Sequence, residues 1–314
     1  MAEGIMAIEG GSLPETRIAV EQLLETIAPG VLDHHPPERF VAAFRALPAH
    51  RPFSVVPDEA REMAAALETS AGSEALQAWL SLALLVMLQH GPDRSVSLPQ
   101  DVAALHAAEV ERMAGAIANP KPGYFSLGRP AFLRDLGLAR GKLIACGVEA
   151  LDPCAGVPRR LLASGGAGQA FGAAWHMLVR CGGFRQMIEL HFDRQAIGDF
   201  NAEGYLLLYR RLAQVLSANP RIRGVMSASW WHDPALAAFG PDFEFINGPP
   251  RSAGAAFFRV GADPRAAADA LRFSPQRRQL HAEGRYRPEV WMMVWPRKAL
   301  LRWAQGMASG SALG

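Results

Sequence analysis

Apolar positions between residues 13 and 118 recur at three- and four-residue intervals, the spacing that gives a helix one apolar face. Ser12-x-x-Glu15 has capping-box spacing, with Pro14 early in the turn, and opens a helix through Ile18, Leu23, Leu24 and Ile27 that closes at Pro29-Gly30. Pro36-Pro37 starts a second helix through Phe40, Val41, Phe44 and Leu47, and Pro57-Asp58-Glu59 a third through Met63 and Leu67. Ala75–Gln89 and Asp101–Ala118 complete five helices, and the short Pro- and Gly-rich loops between them predict a compact helical region over 1–118. Asn119-Pro120-Lys121-Pro122-Gly123 breaks this pattern and opens a predicted linker, 119–139.

The pattern then changes. Apolar runs of strand length stand at Lys142–Leu151, Gln186–Phe192, Ile222–Trp231, Ala255–Val260 and Val290–Trp295. Alternation in the last of these buries Trp291, Met293 and Trp295, or the opposite set. Between the runs, Asn201 caps a helix through Tyr205, Leu208, Tyr209, Leu212, Val215 and Leu216, and Asp263-Pro264 and Ser274-Pro275 mark two more helix starts. Strands alternating with helices predict a mixed α/β domain over 140–314, so the expected class is α/β (mixed α+β) behind an N-terminal helical region.

Composition narrows the chemistry by exclusion. The 314 residues carry 32 Lys+Arg against 30 Asp+Glu, a net charge of +2 that argues against a generic nucleic-acid binder. The basic residues are nearly all Arg, with Lys only at Lys121, Lys142 and Lys298, a bias that by itself carries no functional meaning. Cys146, Cys154 and Cys181 show no C-x-x-C spacing, which leaves neither a disulfide framework nor a structural zinc site and fits thiols in a reducing cytoplasm. Residues 1–11 lack the basic start and apolar run of a secretory signal. Ala75–Leu88 is interrupted by Gln77 and Ser81 and is shorter than the roughly 20 residues needed to span a bilayer. The expectation is a cytoplasmic protein with no membrane partner. The glycine cluster Gly165–Gly172 fails as a dinucleotide fingerprint because Phe171 stands where a third glycine is required, and no Gly-Lys-Ser/Thr accompanies it. It is expected to be a turn into a helix over 169–180.

The segment from Met187 to Trp231 reads strand, loop, helix, strand. A crossover of that length places two strands parallel, with their carboxyl ends on the sheet edge where open α/β sheets bind ligands. One strand ends in His191-Phe192-Asp193-Arg194 and the other in Trp230-Trp231-His232-Asp233-Pro234. His191, Asp193, His232 and Asp233 are therefore the candidate catalytic residues, and three roles compete for them. The aspartates can cap turns, with the histidines satisfied by neighbours. All four can ligate a metal, although no H-x-x-x-H or H-E-x-x-H spacing supports this and no metal is expected. His191 or His232 can serve as acid or base, since imidazole titrates near neutrality. The Arg- and Trp-rich segment from Arg277 to Arg297 suits an anionic or planar ligand, or an interface.

Gln195-x-x-Gly198-x-Phe200, between an apolar strand and a helix start, resembles the Q/R-x-x-G-x-G/A loop of the GNAT acyltransferase superfamily, with Phe200 at the position of the family's Gly or Ala. The resemblance covers element order over about 140–300 and six residues of motif. It implies a GNAT-like mixed sheet flanked by helices, with two parallel strands that splay around the pantetheine arm of an acyl donor. Arg194, Gln195, Gly198 and Phe200 then hold the donor, and loop amides and the helix terminus hold a diphosphate. The implied activity is transfer of an acyl group from a thioester, coenzyme A or acyl-carrier protein, to a small amine acceptor. His191 or His232 would be the base. The alternatives are a metal-assisted or acid/base enzyme using the same His/Asp cluster, and a non-catalytic binding module.

Overall fold

The computed structural model describes residues 13–92, 96–240, 242–272 and 274–310; Ser12, the first residue of the predicted capping box, and residues 1–11 lie outside these. The chain forms two units, the first of residues 1–95 and 100–145 and the second of 96–99 and 146–314.

The first unit is built from α1 (Leu13–Ile27), α2 (Val31–His34), α3 (Pro37–Arg45), α4 (Asp58–His90), α5 (Gln100–Ala118) and α6 (Pro130–Ala139), and ends in the two-residue strand β1 (Ile144–Ala145). Two predicted helices run on as the single element α4, which bends at Gly72 (φ 87°, ψ 173°). By length and composition α4 could cross a membrane, but its apolar half is the core of this unit, with Trp79 to Met87 all buried. The polar residues that interrupt that half are satisfied locally. Ser81 Oγ–H donates to the Ala78 carbonyl (2.7 Å), and Gln77 Oε1 accepts the Gly123 N–H (2.6 Å). Phe40 packs against Phe44 and edge-on to Trp79, whose indole N–H donates to the His35 carbonyl at 2.7 Å.

Residues 119–139, predicted as a linker, belong instead to this helical unit. Phe125, Phe132, Leu136 and Leu138 of this stretch are buried, and Asp135, fully buried, accepts from Arg112, Arg134 and Tyr124. The prolines mark a turn inside the unit, and the change of unit falls after Ala145.

The second unit holds β2 (Glu149–Gly156), α7 (Gly166–Trp175) with a π-helical extension (His176–Cys181), β3 (Arg185–Phe192), α8 (Ala202–Ala218) and β4 (Gly224–Ser229), followed by α9 (Glu244–Ser252), β5 (Ala256–Gly261), α10 (Pro264–Arg272), α11 (Pro275–Ala282), β6 (Val290–Pro296) and α12 (Arg297–Gly310). Its sheet runs β2-β3-β4-β6-β5, with β3 and β4 parallel and the other neighbours antiparallel. The class is mixed α/β.

Two predicted strands change length. The run at 142–151 is broken by Gly147, whose φ of 96° turns the chain and restarts it as β2. The run at 222–231 ends at Ser229, where Trp230–His232 wind into a 3-10 turn. The predicted alternation in β6 does not sort its residues, because the strand is central and covered on both faces: Met292, Met293, Val294 and Trp295 are all buried. On one face Met187, Met226, Met292, Val294 and Phe258 pack with Leu161, Ala173 and Met177. On the other, Trp295 meets Tyr209 of α8 and Trp303 of α12.

Candidate functional site

The parallel pair is where the site begins. Register joins Ile188 to Val225 and Glu189 to Met226, and no registered pair follows among the described residues, although β3 continues to Phe192 and β4 to Ser229. Aromatic rings stand beyond the last pair. Phe192, at the tip of β3, lies 5.7 Å from Trp231 beyond β4, and Phe200 contacts both, at 5.1 Å from Phe192 and 6.0 Å from Trp231. Phe245 of α9 closes the group, 5.7 Å from Phe200 and 5.5 Å from Tyr205.

Two of the four predicted catalytic residues cap turns. Asp193 accepts the Gln195 N–H at 3.0 Å, and Asp233 accepts the Ala235 N–H at 2.9 Å. Burial raises the Asp233 carboxyl above its ordinary value. His191 lies elsewhere, on the sheet face it shares with Glu189, its Nε2 3.8 Å from Glu189 Oε2. Asp152 stands directly across the ladder from Glu189, and the ligand atoms of Asp152, Glu189 and His191 all lie within 4.8 Å of one another. Among the described residues this trio, and not the predicted set of His191, Asp193, His232 and Asp233, has the grouping of a metal site.

His232 is buried, at 1% exposure, with its Nδ1 2.7 Å from Asn247 Oδ1. Asn247 Nδ2–H donates to the Trp231 carbonyl at 2.7 Å, which fixes the amide with its oxygen toward the ring. An amide oxygen only accepts, so the imidazole proton sits on Nδ1 and Nε2 carries the lone pair. That Nε2 is buried with no hydrogen-bond partner. Burial outweighs the Asn247 hydrogen bond and lowers the His232 pKa to about 4, so the ring is neutral near pH 7.

The loop predicted to hold the donor is a 3-10 turn, Arg194–Asp199. Three amides at this turn point inward: Gln195 N–H goes to the Asp193 carboxylate, Ala196 N–H to the Asp193 carbonyl and Phe200 N–H to the Ile197 carbonyl. Asn201 caps α8 by accepting the Gly204 N–H at 2.9 Å. A Cβ at Gly198 would meet nothing within 4 Å, whereas one at Gly204 would lie 2.0 Å from the Asp199 carbonyl oxygen. Gly204 is thus the glycine this loop requires. Arg194 pairs with Asp269 at 3.6 Å, and Phe200 faces the ring cluster. The amides of Gln195, Ala196 and Phe200 are thus taken up by local acceptors.

Sequence reasoning missed a strongly perturbed carboxyl in the neighbourhood. Glu149, opposite Phe192 in the β2–β3 ladder, is 2% exposed and accepts the Tyr205 hydroxyl at 2.7 Å, while its Oε2 has no hydrogen-bond partner. Burial is the larger cause that pushes its pKa to about 8; the Tyr205 hydrogen bond opposes it and the charge of Asp193 adds to it. The signal available was one carboxylate inside an apolar run, Lys142–Leu151. Trp231 Nε1 is a further buried donor with no hydrogen-bond partner. Unsatisfied polar atoms are uncommon in folded interiors, and Glu149 Oε2, Trp231 Nε1 and His232 Nε2 are three of those among the described residues. Cys181 is no nucleophile, since burial pushes its thiol up to about 12.

A cavity of about 280 Å³ adjoins this region, lined by Asp233, Phe243, Glu244, Asn247 and Arg251 among others. The first unit has its own cavity of about 450 Å³, mainly apolar, between α1, α4 and the 117–125 segment. Set against family models, curated proteins and solved structures, the chain matches none of them.

Proposed function

We propose that the second unit is an acyltransferase that moves an acyl group from a thioester to a small amine, with the thioester arm entering between the tips of β3 and β4. The observation that carries this proposal is the parallel pair whose register stops at Glu189 and Met226, the arrangement that the GNAT resemblance implies for the arm. Phe192, Phe200 and Trp231 supply apolar walls that pack the arm and exclude water. The amine nitrogen attacks the thioester carbonyl carbon, the C–S bond breaks, and the thiolate leaves with a proton from solvent.

Glu149 takes the proton lost by the amine. A carboxyl with a pKa of about 8 is a far better match to a general base near neutrality than one in the ordinary range, and Tyr205 holds it by one oxygen while leaving the other to accept. His232, neutral and with its lone pair on Nε2, accepts a hydrogen bond from a donor group of the arm or acceptor. The engaged amides of Gln195, Ala196 and Phe200 favour a donor that presents the arm without a diphosphate, as an acyl-carrier protein does, over coenzyme A.

The test is to offer acyl-carrier-protein thioesters and acyl-CoAs with small amines and to follow released thiol. Amine-dependent release is expected, rising as pH passes about 8 and falling roughly 10²–10⁴-fold in Glu149→Gln. If neither donor class gives amine-dependent thiol release, the proposal is wrong.

A second function, metal-assisted catalysis, is favoured by the trio Asp152, Glu189 and His191. Carboxylates directly opposite in a ladder repel, and a divalent cation removes that repulsion. Elemental analysis of protein dialysed against zinc and manganese separates the two readings: stoichiometric uptake lost in Asp152→Asn and His191→Ala supports metal chemistry, and no uptake excludes it.

A further inference from the structure

Two features of the second unit play no part in acyl transfer. The first is an apolar stripe. Along α7 and its π-helical extension, Ala173, Met177 and Cys181 are buried against the sheet. Phe171, Trp175, Leu178 and Val179 point outward, exposed by 76, 58, 62 and 55%. Four large apolar side chains this exposed on one helix form a patch of the kind that marks an interaction site rather than scattered surface residues.

The second feature is a cationic hollow of about 570 Å³ at the end of the same helix, at the amino ends of β3 and β4. Arg180, Arg185, Arg221, Arg223, Arg297 and Lys298 line it, with no Asp or Glu among its described lining residues. Two of the guanidinium groups are fixed from behind: Arg223 donates to the Gly182 carbonyl, and Arg297 to the Leu216 and Asn219 carbonyls. In a chain whose net charge is only +2, this is a local concentration of one sign. Arg180 follows Val179 directly and lines the hollow, so the stripe and the cations are continuous.

The occupant must satisfy both features together. A second copy of this chain seated on the stripe would cover its apolar side chains but leave the cations of the hollow unmatched, since residues 166–181 offer no carboxylate. An anionic bilayer surface offers phosphates above an apolar layer, and an outward apolar stripe flanked by Arg and Lys is the arrangement that lies in such an interface. We propose that this face docks on anionic phospholipid, with Phe171, Trp175, Leu178 and Val179 entering the boundary between headgroups and acyl chains while the cations of the hollow hold lipid phosphates. Such contact needs no spanning segment. It departs from the sequence-based expectation of no membrane partner, which considered a secretory signal and a spanning segment but not a surface contact.

The test is flotation of the full chain with vesicles of phosphatidylcholine alone and of phosphatidylcholine mixed with phosphatidylglycerol, at low and high salt. Binding to the mixed vesicles is expected to exceed binding to neutral ones by about tenfold or more and to weaken with salt. Trp175→Ser with Leu178→Ser, both exposed positions whose replacement should leave the circular dichroism unchanged, is expected to lower binding by about tenfold or more. Arg180→Glu with Arg221→Glu is expected to remove the preference for anionic lipid. No binding, equal binding to both vesicles, or variants that bind like the parent would overturn the proposal. So would a parent dimer that Trp175→Ser and Leu178→Ser dissociate, which assigns the stripe to a second copy, or a stripe blocked by an acidic carrier protein in preference to vesicles.

Discussion

Glu149 shows how one buried carboxyl can be tested in isolation from the rest of the site. Its folded pKa of about 8 lies above the ordinary 4.5, so the fold favours the protonated acid. The stabilising contribution of that preference is complete below about pH 4.5 and is lost as pH rises through about 8. Glu149→Gln keeps an oxygen for the Tyr205 hydroxyl and removes the charge, so its melting temperature should exceed that of the parent above pH 8 and match it closely at pH 5. An equal difference at both pH values would show that Glu149 is not held protonated. Asn247 has a different role, since it satisfies His232 Nδ1–H and the Trp231 carbonyl together. Asn247→Ala leaves a buried donor and acceptor unpaired and is expected to cost about 1–3 kcal/mol in denaturant unfolding. Neither residue was legible as functional from the chain alone. A pKa is set by what surrounds a group, and Tyr205 and Asn247 are brought to their partners from 56 and 15 residues away.

At the scale of elements, the loop between β3 and α8 separates motif from geometry. Gly198 occupies the motif position yet has open space at its Cβ, while Gly204, outside the motif, has none. Gly198→Ala should therefore leave stability and any acyl-transfer activity near the parent values. Gly204→Ala forces the start of α8 off the Asp199 carbonyl and should destabilise by about 1–3 kcal/mol. Chemical denaturation of the two variants decides between these expectations, and a larger effect at Gly198 would restore the diphosphate-loop role. Local signals served well where they act locally: Asn201 does cap α8, and Ser274 caps α11 by accepting the Arg277 N–H. The parallel sense of β3 and β4 was equally legible, because crossover length dictates it. Helix α9 was not, since Pro249 and Pro250 stand inside it, and the stripe of α7 was not, because apolar spacing looks the same whether a face is covered or bare.

For the whole molecule, the separation into a helical and a sheet unit follows from the change of apolar period, but its position does not. Two prolines and a glycine at 120–123 carry the composition of a boundary, while the burial of Phe125, Phe132 and Asp135 decides that the chain is still inside the first unit. Histidine burial also has a consequence for global stability. His232, pushed down to about 4, and His176, also lowered by burial, resist protonation in the fold. The contribution of His232 is complete above about pH 6.5 and lost as pH falls toward 4, with His176 acting in the same direction, so the melting temperature should drop across that interval, and His232→Gln should flatten the drop. The central functional claim is that a thioester arm occupies the space between the tips of β3 and β4. A crystal structure with a non-hydrolysable acyl-pantetheine thioester analogue tests it most directly. The account predicts the arm between Phe192 and Trp231, with these rings parted from the 5.7 Å contact they make without it and the carbonyl end toward Glu149. An analogue bound elsewhere, or a β3–β4 ladder paired through to Phe192 and Ser229, would contradict it.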